Sequence, residues 1–349
     1  MKIAILTIHH VPNYGAIMQA YSLKKTLQNL GFACDVVNYQ PKIAIDFYDS
    51  FKPKFPRSLV HAIRNRRNNK FLDRFVISAG MPALTSPEEV FELVATYDAV
   101  ICGSDQIWNA DGFRGLDKTF FLGSADLPST KKISYAPSIG STDPNTYAGN
   151  WPCCGPWLKN FDALSVRDQN SQKMVESFGL PTPELVCDPT LLPSALKEFS
   201  SPQKKQYLVL YANQAVPPNR LRAIAEKYKL QIVSVGARNK HSDRNVSFAD
   251  PKDWATVFSN AKIVITGKFH GIQLALLNGA LPFYVGRAEK RAKSSDSLNR
   301  YGLGEQWIEN PKTYEFENID AGLAKMKQAT VLRNKIASES LAWLEAQLG

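Results

Sequence analysis

Long hydrophobic runs are scarce in this 349-residue chain. The longest candidate, after His270, is broken by Asn278 and Pro282. A spanning helix needs about 20 predominantly apolar residues, so no transmembrane span is expected. The opening MKIAILTIHH holds an apolar run too short for a signal peptide and no small-residue cleavage site. Cysteine is scarce too: Cys34, Cys102, Cys153, Cys154 and Cys187. The count is odd, only Cys153 and Cys154 are close, and neither zinc-ligand spacing nor a disulfide framework appears. Such usage suits a reducing cytoplasm. Internal repeats and low-complexity segments are absent. Acidic residues are the minority, 32 Asp and Glu against 42 Lys and Arg, for a net charge of +10. That balance favours anionic partners: phosphorylated metabolites, nucleic acid or an acidic membrane face. Nucleic acid fits poorly, because the basic residues lack an interleaved aromatic platform and no known module appears.

What is present is an alternation of short apolar strands and amphipathic helices. KIAILTI reads as a buried strand, HHVPNYG as a turn, AIMQAYSLKKTLQNLG as a helix stopping at Gly31, and CDVVNY as the next strand. This is βαβ, the seed of a doubly wound parallel sheet. Its first loop lacks GxGxxG, so no dinucleotide is expected. Residues 51–75 interrupt the alternation: Lys52, Lys54, Arg57, Arg64, Arg66, Arg67, Lys70 and Arg74 stand against Asp73 alone. This segment reads as an extended lead and then a basic amphipathic helix with Leu59, Ile63, Phe71, Leu72 and Phe75 as apolar contacts. The α/β pattern resumes to ELVCD, turns loop-like after Pro189, and starts a second run at QYLVLYAN. The C-terminal stretch IDAGLAKMKQATVLRNKIASESLAWLEAQL reads as long helical segments. The expectation is an α/β protein of two Rossmann-like domains, GT-B-like in plan, with a C-terminal helix able to cross back. Its parts are residues 1–190, 205–315 and a helical segment 318–349.

In such sheets ligands gather beyond the carboxyl ends of strands. Standing there are His9 through Gly15, Gly103-Ser104-Asp105-Gln106, Ile139-Gly140-Ser141, Arg167-Asp168 and Gly267-Lys268-Phe269-His270-Gly271. The glycines permit tight turns, and Asp168 reads as a helix cap. Asp105, Gln106 and Trp108 offer a carboxylate, an amide and a ring suited to sugar contact. A guanidinium at a helix start is disfavoured by the dipole, so Arg167 implies an anion. Lys268 and His270, both cationic-capable, raise the same point at one helix mouth, and basic residues continue at Lys290, Arg291 and Lys293. No metal-ligand set is expected.

NYGAIMQAYSLKKTL, DAVICGSDQIWN, SVRDQNSQKMVESFG, VCDPTLL and ITGKFHGIQLALLNGALPF occur in that order over residues 1–285. Together they resemble the polysaccharide pyruvyl transferase family. The resemblance implies a GT-B-like fold and transfer of pyruvate from phosphoenolpyruvate to a sugar hydroxyl pair, closing a ketal on a polysaccharide repeat or its lipid-linked precursor. It places the family's anion-binding arginine on Arg167 and its histidine on His270. Its downstream lysine falls on Lys293, nine residues before Gly302-Leu303, with Lys290 as the alternative. Where many members carry arginine two residues before the histidine, this chain has Lys268, which keeps the charge but loses the planar fork.

The implied donor set is then Arg167, Lys268, His270, Lys293 and Lys290 on a C-terminal donor side. The candidates for the N-terminal acceptor side are Asn13, Tyr14, Asp105, Gln106 and Trp108. His270 remains open as acid, base or phosphate partner. No cofactor is expected beyond phosphoenolpyruvate as donor. The expected partners are that donor, a lipid-linked oligosaccharide and an anionic cytoplasmic leaflet met by residues 51–75. The rival readings are a GT-B glycosyltransferase using a nucleotide sugar and a non-catalytic sugar- or anion-binding protein of polysaccharide assembly.

Overall fold

The computed structural model describes residues 1–50, 57–112, 114–123, 125–200, 205–211, 216–286, 291–313, 316 and 318–349, with the side chains of 48–50, 57, 58 and 291–294 left out of the description. The expected extended lead over 51–56, with Phe51 and Phe55, lies outside the described residues, as does Lys290.

The chain divides into two units. The first comprises Met1–His61, Asn68–Ala195 and Ala337–Gly349. Its six strands are β1 (Lys2–Leu6), β2 (Ala33–Val36), β3 (Ala99–Cys102), β4 (Lys131–Ser134), β5 (Ala163–Val166) and β6 (Glu184–Leu185). They pair in parallel in the order β2-β1-β3-β4-β5-β6. KIAIL is nearly continuous in apolar residues because a parallel sheet covered on both faces has no solvent side, and Ile3 through Leu6 are all fully buried. The register sets Ile3 beside Ala99 and Leu6 beside Cys102, so β1 and β3 end level. The helix Tyr14–Asn29 starts where Asn13 Oδ1 accepts from Gly15 N at 3.0 Å. It ends at Gly31, whose φ of +87° suits glycine. The core beyond the sheet is aromatic: Trp108 stacks on Phe121 with ring centroids 5.2 Å apart, and Phe161 meets it edge-on.

The second unit comprises Ala62–Arg67 and Leu196–Ile336. Its strands are β7 (Tyr207–Tyr211), β8 (Gln231–Val235), β9 (Arg244–Val246), β10 (Ala261–Thr266), β11 (Leu281–Val285) and β12 (Trp307–Ile308). They are again parallel, ordered β12-β11-β10-β7-β8-β9. Tyr211, Trp254 and Phe258 cluster under this sheet.

The basic segment forms the helix Arg57–Phe71, followed by a π-helical turn Leu72–Val76. Its expected apolar contacts divide. Phe71 and Leu72 are buried, whereas Leu59 and Ile63 are exposed. Its arginines are partly engaged within the second unit: Arg64 Nη1 donates to Gly236 O at 3.1 Å, and Arg67 Nη2 reaches Asp250 and Asp253 at 3.1 and 2.7 Å. These two acids form the capping box of the helix Pro251–Ser259.

The C-terminal stretch is one 30-residue helix, Ile319–Leu348, rather than several segments. Its part from Ala337 onward belongs to the first unit, where Ser340 Oγ accepts from Cys187 N at 2.9 Å. In the same unit Trp343 lies 6.4 Å from Tyr135, ring to ring. None of the five cysteines forms a disulfide. Among the described residues no helix is long and apolar enough to cross a membrane.

Leu344 is fully buried in the first unit. Leu344→Ala should lower stability by about 2–5 kcal/mol, the transfer loss plus the cavity left behind. Urea denaturation measures it, and an unchanged midpoint would remove the last helical turns from that core.

Candidate functional site

Each sheet reverses its winding once. In the first the switch lies between β1 and β3, and in the second between β7 and β10. Crevices at such points are where open α/β sheets bind ligands. The residues singled out by sequence stand at both.

At the first switch, β3 runs into Gly103, whose φ is +133° and whose missing Cβ would lie 2.0 Å from Tyr135 O. Only glycine fits there. Ser104 N follows and donates to Gln19 Oε1 at 3.3 Å, and the Gln19 amide donates in turn to Thr7 Oγ1 and Ile8 O. Asp105 sits in left-handed backbone at φ +69°. From the end of β5, Arg167 sends Nη1 to Asp188 Oδ2 at 3.1 Å and Nη2 to Asp105 Oδ1 at 3.4 Å. The Arg167 and Asp188 side chains are 2% and 1% exposed. Asp188 Oδ1 also accepts from Thr190 N at 3.0 Å and Thr190 Oγ1 at 2.7 Å. The negative charge that Arg167 demanded is therefore supplied by the protein's own carboxylates, two against one guanidinium. Asp168 is the helix cap expected of it, accepting from Ser171 N and Oγ.

The acceptor candidates fare unevenly. Asn13 is exposed but caps its helix. Tyr14 is buried. Gln106 Oε1 accepts from Asn109 Nδ2 at 3.1 Å, and both amides crowd Gly140, where a Cβ would lie 2.7 Å from that oxygen. Trp108 corrects the expectation of a ring offered to sugar: it is fully buried, and its Nε1 donates to Phe120 O at 3.1 Å. Its indole turns inward because the aromatic cluster of Phe120, Phe121 and Phe161 needs a large filler. Asp188 and Gln19 were missed as site residues. The signal for Asp188 was there, an acid within three residues of the end of a short strand, much as Asp168 follows β5.

Beyond β1 stand His9 and His10, with ring centroids 5.5 Å apart. His9 is fully buried, with Nδ1 3.0 Å from Thr7 O and Nε2 3.2 Å from Asn38 Oδ1. Burial lowers the pKa of His9. Burial, followed by the charges of His9 and Arg114, lowers that of His10 to about 3, with the Tyr39 main chain opposing. Both rings are neutral at pH 7.

At the second switch, Thr266 ends β10 and its Oγ1 accepts from Lys268 N at 3.0 Å. Lys268 is the N-cap of the helix Phe269–Leu277 and gives its first-turn N–H groups no side-chain acceptor. His270 follows, 6% exposed. Gly271 lets helix and strand touch: a Cβ there would lie 2.2 Å from Thr266 Oγ1. Gln273 Nε2 donates to Ser297 Oγ at 2.8 Å, fastening this helix to Arg291–Arg300, the helix that carries Lys293. The Lys293 side chain and the loop after β7 (212–215) lie outside the description. Arg167 thus belongs to the first unit, and Lys268, His270 and Lys293 to the second.

A family model described as polysaccharide pyruvyl transferase matches residues 13–286. No curated protein matches the chain in sequence. Among solved structures, a Listeria monocytogenes protein assigned as a UDP-N-acetylglucosamine 2-epimerase is 13% identical, with a TM-score of 0.53 over 97% of this chain and 90% of that one. MnaA of S. aureus, solved with UDP, is 14% identical, with a TM-score of 0.51 over 99% and 97%. UDP-GlcNAc 2-epimerase of Neisseria meningitidis bound to UDP-GlcNAc is 11% identical, with a TM-score of 0.50 over 100% and 99%. At these identities the likeness is one of fold, and the two parallel six-stranded sheets are GT-B-like.

Breaking a buried ion pair costs up to about 3–5 kcal/mol, and less where a second carboxylate keeps the guanidinium paired, as Asp105 and Asp188 do for each other here. Asp188→Asn should stay within that limit and cost more than Asp105→Asn, because Asp105 is more exposed and farther from the guanidinium. Thermal melts of the two variants test the order, and equal losses would refute it.

A buried histidine with a lowered pKa stabilises the fold above the unfolded value near 6.5. That contribution is lost as pH falls, by up to about 1.4 kcal/mol per pH unit for each ring, because the unfolded chain binds the proton first. From pH 6 to 5 the wild type should therefore lose more stability than His10→Phe. Parallel losses would mean that His10 is protonated in the fold.

Proposed function

The chain belongs to the polysaccharide pyruvyl transferase family, and from that premise we propose that it moves pyruvate from phosphoenolpyruvate to two hydroxyls of a sugar, releasing phosphate. The observation that carries this reading is the helix mouth at the β7/β10 switch: an N-cap lysine without a capping acceptor, a buried histidine two residues on, and a glycine that lets helix and strand close together. Main-chain N–H groups and the dipole at such a mouth favour an anion. Phosphoenolpyruvate brings two, a phosphate and a carboxylate. Lys268 supplies charge beside the mouth, and Lys293 stands on the helix fastened to it.

A proton added to the enol carbon turns it into a methyl group and makes C2 oxocarbenium-like. One sugar hydroxyl attacks C2, the C2–O bond to phosphate breaks, and the second hydroxyl closes the ketal. Of the two hydroxyl protons, one balances the new methyl group and one leaves with phosphate. His270 serves this traffic as acid, base or phosphate partner. Arg167, to which the family resemblance gives an anion-binding role, is able to take an incoming carboxylate or phosphate on Nη2 in place of Asp105, the longer of its two contacts. The chemistry calls for no metal or redox cofactor, because cationic side chains balance the donor. The acceptor in this reading is a surface polysaccharide repeat on a lipid carrier, met at the cytoplasmic face of a membrane. The rival is a nucleotide-sugar glycosyltransferase, since two relatives in fold were solved with UDP or UDP-GlcNAc.

The test is phosphate release from phosphoenolpyruvate with a panel of pyrophosphate-linked oligosaccharides. His270→Ala should lower kcat by at least about a hundredfold. Arg167→Lys should raise the KM for phosphoenolpyruvate, because an ammonium lacks the planar fork that holds Asp188 with one nitrogen and an anion with the other, and chelation should leave the rate unchanged. Release of a nucleotide with no use of phosphoenolpyruvate would decide for the rival.

A further inference from the structure

Beside the first switch point the first unit holds a cavity of about 250 Å³ that the donor chemistry does not use. It opens beyond the carboxyl ends of β1 and β2. His9, His10, Asn38 and Gln40 line it on the sheet side, and Asn69 and Asp73 line it from the helical segment opposite. Part of this lining is braced. His9 sits between Thr7 O and Asn38, and Gln40 Nε2 donates to Asn38 Oδ1 at 2.8 Å. Part of it is less firmly held, His10 having only the Tyr39 main chain near its ring. Both ring nitrogens of His10 are buried without a hydrogen-bond partner of good geometry, and buried polar atoms ordinarily have one. Asn69 and Asp73 are exposed and one helical turn apart, so they present a second pair of polar groups on a single face.

We propose that this cavity binds an uncharged, hydroxyl-rich ring, one sugar of the acceptor. Its character as acceptor subsite rests on the pyruvyl-transfer reading above. The volume is below the ~300–1,000 Å³ of pockets for drug-sized ligands and suits a single ring. The polar groups match hydroxyls, each of which donates once and accepts twice: the neutral His10 imidazole and the amides do both, and the Asp73 carboxylate accepts. Leu72 and Ile77 add an apolar patch for the C–H face of a sugar. Among the described residues none that lines the cavity is cationic, and the Asp73 carboxylate repels an anion, so the phosphorylated donor does not belong here. No Phe, Tyr or Trp among them offers the wide stacking platform that a nucleobase takes, and the described residues hold no cluster able to bind a metal ion.

The test uses the full-length chain, methyl β-D-glucopyranoside, methyl β-D-galactopyranoside and the matching methyl glucuronide, first without phosphoenolpyruvate. Saturation-transfer NMR should show the neutral glycosides bound and the glucuronide bound more weakly. Asn69→Ala and Asp73→Ala change exposed positions that the core does not need. Each should weaken binding, Asp73→Ala by about tenfold, the loss of one charge-assisted hydrogen bond. Absence of neutral-sugar binding, preference for the glucuronide, or binding unchanged in both variants would overturn the proposal. The two readings fail separately. Sugar binding that depends on Asn69 and Asp73 with no use of phosphoenolpyruvate keeps the subsite and removes the transfer reaction. Phosphate release with an acceptor KM unchanged in both variants keeps the reaction and removes the subsite.

Discussion

A guanidinium enclosed by two carboxylates governs the carboxyl edge of the first sheet. Arg167 comes from the end of β5, Asp188 from just beyond β6 and Asp105 from the loop after β3. Three strand ends are thus drawn to one charge. Buried charge is tolerable only when paired and hydrogen-bonded, and Asp188 meets that condition twice, through Arg167 and through Thr190. The close pass of Gly103 against Tyr135 O serves the same end, because it brings the chain into Asp105 beside the guanidinium. This edge is held together by its own charges, two carboxylates on one guanidinium, before any ligand arrives. The second sheet differs: its switch point presents a lysine and a histidine at a helix mouth with no acidic residue in the turn.

The alternation of apolar runs was enough to read two parallel α/β units, because strands covered on both faces leave a continuous apolar signature that helices between them do not share. Periodicity could not show how short β6 is, since a two-residue strand has no period. Nor could it show that the C-terminal stretch is one helix. Helical spacing is local, and what continues that helix through Ala337 is burial of Leu344 and the bond from Cys187 N to Ser340, 153 residues apart in sequence.

The candidate site was legible where function leaves an unusual charge in a turn. Arg167, Lys268 and His270 stood out because cations at helix starts oppose the dipole. The partners of Arg167 were not legible as partners, since Asp105 and Asp188 lie 62 and 21 residues from it along the chain. Trp108 misled for a related reason: an aromatic ring in a loop reads the same whether it faces solvent or fills a core. The His9–His10 pair was noted only as part of a loop. Its depth, and the helical segment that faces it, belong to tertiary structure.

The helix Ile319–Leu348 has a consequence for biosynthesis. The chain leaves the first unit briefly for Ala62–Arg67, leaves it again at Ala195 and re-enters it at Ala337. The second unit is therefore carried on two insertions in the first, one short and one long, and no single cut releases the first unit whole. During translation the segment Leu196–Ile336 is made before the last part of the first core exists. A ribosome-bound chain can complete the second sheet while the first still waits for Leu344. The nascent first unit then exposes apolar surface for the whole interval, in a chain whose domains otherwise fold in order from the N-terminus.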